Sequence, residues 1–423
     1  MKILTTKGKK FKSVPTLNVI SELKKHKNNI RILIVEENEE NFLDELTRYK
    51  LFTLEKLIFN NNSIKKIFRY SFMYIKTLRE VKLPDNLLGI YTAAFLGCTN
   101  LTNIKLPNSI IRINKNAFSK CIMLEDVNIP LKIRVIEEYA FSNSGIKRVE
   151  IPKSCKYIDR KAFYNCPNLR EVIFHKRNNR YISISRNVFS SCTSLEFVEF
   201  SDGLDEIPAE CFLGCEKLAE ITLPQSLEII GEGAFNYCSN IKEINIPKKV
   251  SYISDTAFYG CKNLEKIIIN SEELRFIGRY AFSCCTQLTK IIFNPNIKLE
   301  EIPIACFENS ECLEEIEIPN STGTIGNRAF KNCKNLKKIK FPEKLRAIAE
   351  SAFENCSSLE EIILSSKYLN IIGSNAFKSC KSLKLVKIDS INLSYSTLLS
   401  AFDMDTDVKI YVLKENGNYI KLK

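Results

Sequence analysis

The chain contains no tryptophan and only two histidines, His26 and His175, among 423 residues. So few imidazoles leave little material for acid/base catalysis or histidine-based metal sites. No run of about 18 apolar residues occurs, so no transmembrane helix is expected. Lys2, Lys7, Lys9, Lys10 and Lys12 open the chain, but no apolar stretch follows them, which does not fit a secretory signal peptide. The glycines form no phosphate-binding loop. On these absences the expected location is the cytoplasm, with non-classical export to the cell surface as the alternative.

What is abundant is periodic. Fifteen phenylalanines, from Phe72 and Phe95 through Phe377 and Phe402, recur at spacings of 22 to 26 residues, mostly 23. Alanine usually precedes them; the exceptions are Ser71, Val188, Cys211 and Cys306. Five residues before each stands isoleucine in fourteen of the fifteen units, and three residues after it stands cysteine in eleven. A short segment follows, as in Leu101-x-x-Ile104-x-Leu106 or Leu336-x-x-Ile339-x-Phe341, and eight of these segments end at proline. Alternate residues of a strand face opposite ways, so Ile104 and Leu106 point inward while Asn103 and Lys105 point out. Proline lacks the N–H needed to continue a ladder. The Ile-x-x-x-Ala-Phe stretch must then turn back over the core, with a short helical or 3₁₀ turn expected across Ala-Phe-x-x-Cys. A coil of about 23 residues cannot bury its apolar face alone, but a stack of them can.

The strand pattern, the Ile-Gly-x-x-Ala-Phe turn and the Cys-x-x-Leu that follows closely resemble the BspA-like leucine-rich-repeat family over about residues 51–402. The resemblance implies an α/β solenoid, a right-handed superhelix of about 14–15 coils with one parallel sheet on its concave face. It also implies protein binding through that face, and the family is associated with adhesion and surface antigens.

The ends depart from the repeat. Residues 1–31 hold eight Lys and one Arg against one Glu. Thr16 to His26 reads as a helix and Ile30 to Val35 as a strand. An acidic run (Glu36, Glu37, Glu39, Glu40) and a second helix through Leu43 and Leu46 follow. Residues 1–50 are therefore expected to cap the stack, 51–402 to form the array, and 403–423 to form a closing hairpin around Asn416-Gly417.

Sixteen cysteines raise the question of metal or disulfide chemistry. Metal sites favour Cys-x₂₋₄-Cys pairs, whereas these thiols stand one per coil and read as buried apolar groups. Neighbouring coils could still make them sensitive to oxidation. The basic insert His175-Lys176-Arg177-Asn178-Asn179-Arg180 reads as a solvated loop, with an acidic partner or nucleic acid as the alternative. No aromatic interleaving supports specific nucleic-acid binding. The outward strand positions alternate in charge, as in Glu315 beside Lys338 and Glu317 beside Lys340. The exception is Lys266, Ile268, Lys290 and Ile292, an apolar-basic patch and the candidate partner-binding site. No catalytic residue, cofactor or metal is expected. The leading reading is a monomeric, non-catalytic scaffold for a protein partner. A surface adhesin is the second reading, and an enzyme regulator acting through the terminal cap is the third.

Overall fold

The computed structural model describes residues 2–5, 28–35, 51–60, 62, 64–176, 181–390, 392–402, 408–413 and 418–421. The chain divides into two compact units, Met1–Leu204 and Asp205–Lys423, and each is a parallel-strand solenoid. Both carry the expected ladder of strands. In unit 1, Arg148–Ile151 pairs in parallel with Glu171–Phe174, and that strand pairs with Phe197–Glu199. In unit 2, Glu243–Ile246, Lys266–Ile269 and Lys290–Phe293 stack residue for residue. A second ladder, not expected from the sequence, is built from two-residue strands. In unit 1 it runs from Lys66–Ile67 to Ser183–Ile184. In unit 2 it includes Glu206–Ile207, Ile229–Ile230, Tyr252–Ile253 and Phe276–Ile277. Its second residue is the recurrent isoleucine, which is buried in every one of these strands. A β-branched residue at the same height in each coil favours extended backbone there, and extended backbones at coil spacing bond to one another.

The phenylalanines form the core column. In unit 1 the rings from Phe72 to Phe163 are fully buried and stack at 5.3–5.4 Å between centroids. In unit 2 the column from Phe212 to Phe402 continues the same way, as at Phe330–Phe353, 5.1 Å apart and 3° from parallel. Offset stacking adds to the burial term that each ring already contributes.

The turn across Ala-Phe-x-x-Cys is not helical, which corrects the sequence expectation. The residues two before and two after each phenylalanine from Phe72 to Phe377 have positive φ, for example Ala93 (55°) and Gly97 (72°) around Phe95, or Arg328 (57°) and Asn332 (64°) around Phe330. A left-handed residue at each side prevents helix from propagating. Instead the chain alternates. Ala94, Leu96 and Cys98 donate N–H to carbonyls three residues back, while Ala93, Phe95 and Gly97 donate to Lys115, Ala117 and Ser119 of the next coil. Every second N–H is thus turned along the stack, and the coils are joined on this flank as firmly as in a sheet. Where the second left-handed residue is asparagine its side chain joins in. Asn332 Nδ2 donates to Asn309 Oδ1 and Asn355 Nδ2 to Asn332 Oδ1, both at 2.8 Å.

The column cysteines are buried, as the spacing implied, but they are not merely apolar filler. Each column thiol from Cys98 to Cys192 and from Cys238 to Cys380 donates to the carbonyl of the previous coil's phenylalanine. Cys98 reaches Phe72 O at 3.0 Å, Cys121 reaches Phe95 O at 3.2 Å, and Cys261 reaches Phe235 O at 3.3 Å. These are weak bonds, but they satisfy a second lone pair on a buried carbonyl. Burial pushes the Cys98 and Cys261 thiols up to about 12 and the Cys333 thiol up as well. Thiolate is the reactive form. Treating the native protein with iodoacetamide at about pH 8 should therefore label Cys284 and Cys312, which are half-buried, and spare Cys98, Cys261 and Cys333, whose burial both shields the sulfur and disfavours the thiolate. Peptide mass mapping reads this directly; prompt native-state labelling of Cys261 would contradict it.

At the N-terminal end Lys2–Thr5 pairs antiparallel with Ile30–Val35, which then pairs in parallel with Lys56–Phe59. The expected Ile30–Val35 strand is present. The helix read at Thr16–His26, the acidic run and the helix at Leu43 and Leu46 lie outside the described residues. At the other end Tyr395–Ala401 is a helix whose first turn is capped by Ser394, which accepts from Thr397 N–H. Lys409–Leu413 and Tyr419–Lys421 pair antiparallel, while Asn416-Gly417 between them lies outside the described residues. Among the described residues no helix is long and apolar enough to cross a membrane.

Candidate functional site

The long-strand face of unit 2 brings together the four residues singled out from the sequence. The register sets Lys266 beside Lys290 and Ile268 beside Ile292. Ile292 is 38% exposed and Ile268 is half-buried. The Lys266 ammonium lies 3.3 Å from both carboxylate oxygens of Glu243, one coil earlier. Lys290 is exposed and makes no ion pair among the described residues. The expected charge alternation follows on the next two coils. Glu315 and Glu317 sit beside Lys338 and Lys340, and Lys340 Nζ lies 2.5 Å from Glu317 Oε1.

Between Ile292 and Glu315 the surface opens into a groove of about 540 Å³, walled by Lys290, Ile292, Pro295, Glu315, Glu317 and Pro319. Several features of the coil junction coincide with it. Lys290–Phe293 and Glu315–Glu317 belong to separate sheets, and so do Phe276–Ile277 and Glu301–Ile302. The Phe282–Phe307 rings are 5.7 Å apart, against 5.2 Å at Phe258–Phe282 and 5.3 Å at Phe307–Phe330. Ser310 replaces the column cysteine, donating to Phe282 O at 3.4 Å. The turn flank nonetheless stays joined, with Phe282 N–H donating to Cys306 O at 2.9 Å and Cys284 N–H to Glu308 O at 2.8 Å. The junction is thus fastened along its turns and parted along both strand ladders. Two signals for it stood in the sequence: the 25-residue interval from Phe282 to Phe307, and serine in place of cysteine at position 310.

Unit 1 has a counterpart of different chemistry. A groove of about 630 Å³ is lined by Asn103, Lys105, Asp126, Asn128, Arg148 and Glu150, among others. Here the Asn128 carboxamide stands in for strand pairing, donating to Leu106 O at 2.8 Å and accepting from Leu106 N–H at 3.1 Å. The basic insert begins nearby. His175 Nε2 lies 2.9 Å from Glu150 Oε2, and Arg148 bridges Glu150 and Glu171 at 3.0 and 3.2 Å. His175 is thereby tied to the strand face, and Lys176 is exposed. Arg177 and Arg180 lie outside the described residues.

Among the described residues the most buried carboxylate, Glu138, sits between Lys115 Nζ at 2.7 Å and Arg160 Nε at 2.5 Å. Burial opposes its ionisation, but the hydrogen bonds and charges of Lys115 and Arg160 together outweigh that and hold the carboxyl below the usual range. The three residues occupy one column of successive coils, and the arrangement fastens coils rather than exposing a reactive group. Among the described residues no group of three or more His, Cys, Asp and Glu is placed to hold a metal ion.

Comparison with known proteins agrees with this architecture. A leucine-rich repeat protein from Bacteroides ovatus of solved structure is 24% identical, over 98% of this chain and 99% of that one, with a TM-score of 0.73. At that identity the likeness speaks for the fold. A leucine rich cell surface protein from Faecalibacterium prausnitzii is 24% identical over 67% of this chain and 83% of that one, with a TM-score of 0.41. No curated protein matches the sequence. The BspA type leucine rich repeat region matches residues 47–170, 182–300 and 300–421, in six copies. With these segments covering most of its length, the chain belongs to the BspA-type leucine-rich repeat family.

Proposed function

We propose that the protein is a non-catalytic scaffold that binds a protein partner on the long-strand face of unit 2. The observation that carries this reading is the groove at the parted junction, with exposed Ile292 on its wall and Lys290 free of an ion pair among the described residues. Elsewhere on that face Glu243 pairs with Lys266 and Glu317 with Lys340, contacts that cross-strand attraction already explains. An apolar side chain beside an opening, with charges at its rim, is instead the pattern of a binding surface. The partner this chemistry suits places an apolar side chain against Ile268 and Ile292 and a carboxylate near Lys290.

The test compares proteins recovered with the wild-type chain and with an Ile268→Glu, Ile292→Glu double variant, both purified from the native cell. Circular dichroism of the variant should match wild type, because Ile292 is exposed and Ile268 half-buried, both on the outward side of their strands. The specific partner should be depleted at least tenfold from the variant sample. Equal recovery would rule out this face.

A further inference from the structure

The short-strand ladder of unit 2 carries a feature that the proposed partner site does not use. Its outward residues in three successive coils are Ile229, Tyr252 and Phe276, in register and 37%, 40% and 40% exposed. Tyr252 and Phe276 stack at 4.4 Å and 14°, so the stripe is ordered before anything meets it. Charges flank it in the same columns. Glu228 and Glu232 lie in the coil of Ile229, and Arg275 and Arg279 lie in the coil of Phe276. All four are exposed, and none makes an ion pair among the described residues. Elsewhere lysines and glutamates in adjacent coils do pair, as at Lys334–Glu311, 2.9 Å. The missing pairs have a simple geometric cause, since the acids and the arginines are two coils apart.

We propose that this stripe is the contact of a symmetric dimer with a second copy of the chain. The arrangement is self-complementary about a two-fold axis lying along Tyr252–Ile253. Such an axis reverses the order of the coils and keeps each column in place. It sets Glu228 opposite Arg275, Glu232 opposite Arg279 and Ile229 opposite Phe276, each twice, with Tyr252 opposite its own copy. The remaining charge in these columns, Asp255, would meet itself. Its carboxylate is half-buried and already accepts from Arg279 N–H at 2.7 Å, which holds it against its own chain. One coil further out Glu206 would oppose Glu301, but the ladder is interrupted between Phe276 and Glu301. The contact is therefore three coils wide. That falls short of the roughly 1,200 Å² of a standard interface, so the dimer belongs to the weak, concentration-dependent class.

Sedimentation velocity on the full chain tests this from about 10 to about 500 µM. The weight-average mass should climb from 48.6 kDa toward twice that value, and the climb should weaken in about 0.5 M salt. A Glu228→Arg, Glu232→Arg variant and an Arg275→Glu, Arg279→Glu variant should each stay monomeric, while their equimolar mixture associates again. A wild-type chain that stays monomeric across the range overturns the proposal. So does an association that survives either charge reversal, or a mixture that fails to recover it. Binding of a basic peptide to the stripe without self-association would mark it as a site for a different partner and would equally overturn the dimer.

Discussion

Phe258→Ala is expected to destabilise unit 2 by about 3–5 kcal/mol, the range for removing a large buried side chain without collapse of the space it leaves. Phe258 is fully buried, and its ring lies 5.1 Å from Phe235 and 5.2 Å from Phe282. Losing it removes two stacking contacts as well as its own burial. The surrounding backbone has little freedom to close the gap. Phe258 N–H donates to Ala281 O at 2.8 Å, and Phe258 O accepts the Cys285 thiol at 3.4 Å, so the coil is held on both sides. A urea melt followed by far-UV circular dichroism measures the loss. A change below about 1 kcal/mol would mean that the column relaxes far more easily than these bonds allow. Phe258→Leu, which keeps most of the volume, should cost less.

Asn332→Val is expected to cost about 2–4 kcal/mol. Two separate effects contribute. Asn332 has φ of 64°, and a β-branched residue there costs about 1–2 kcal/mol. Its amide also joins Asn309 and Asn355, and removing it leaves a half-buried oxygen and a half-buried NH₂ without that partner, at about 1 kcal/mol each. Asn332→Gly separates the two effects, because glycine accepts the backbone angle freely and lacks the amide. The glycine variant should therefore melt between wild type and the valine variant. Equal losses in both would show that the left-handed angle carries no cost here.

How much of this could be read from the residues follows from which of them are chemically restrictive. Phenylalanine, isoleucine and cysteine at fixed offsets left only one arrangement that buries them all, so the coil register and the buried thiols followed. The side-by-side register of Lys266 with Lys290 and of Ile268 with Ile292 followed too, because strand alternation fixes which side chains face out. The left-handed turns did not. Residues as different as Tyr70, Glu210, Thr256 and Arg328 occupy them, since inter-coil hydrogen bonding imposes the angle and overrides local preference. The expected helical turn failed for the same reason. The groove escaped notice because it is a missing ladder rather than a motif. The stripe at Ile229, Tyr252 and Phe276 was hidden because its two-residue strands are too short to show alternation.

The turn flank has one more consequence. Each peptide group that bridges coils there points its N–H toward the C-terminal end of its unit and its carbonyl toward the other, so their dipoles add along the stack. The charge separation runs opposite to that of an α-helix, whose N–H groups face its own N-terminus. The last coil of unit 2 is thus left with a row of partly positive donors. These meet the negative end of the helix Tyr395–Ala401: Asn375 N–H donates to Ser400 O at 2.8 Å and Phe377 N–H to Ala401 O at 2.9 Å. The short helix serves as an electrostatic stopper, and an array lengthened beyond it would need another supply of carbonyls at that end.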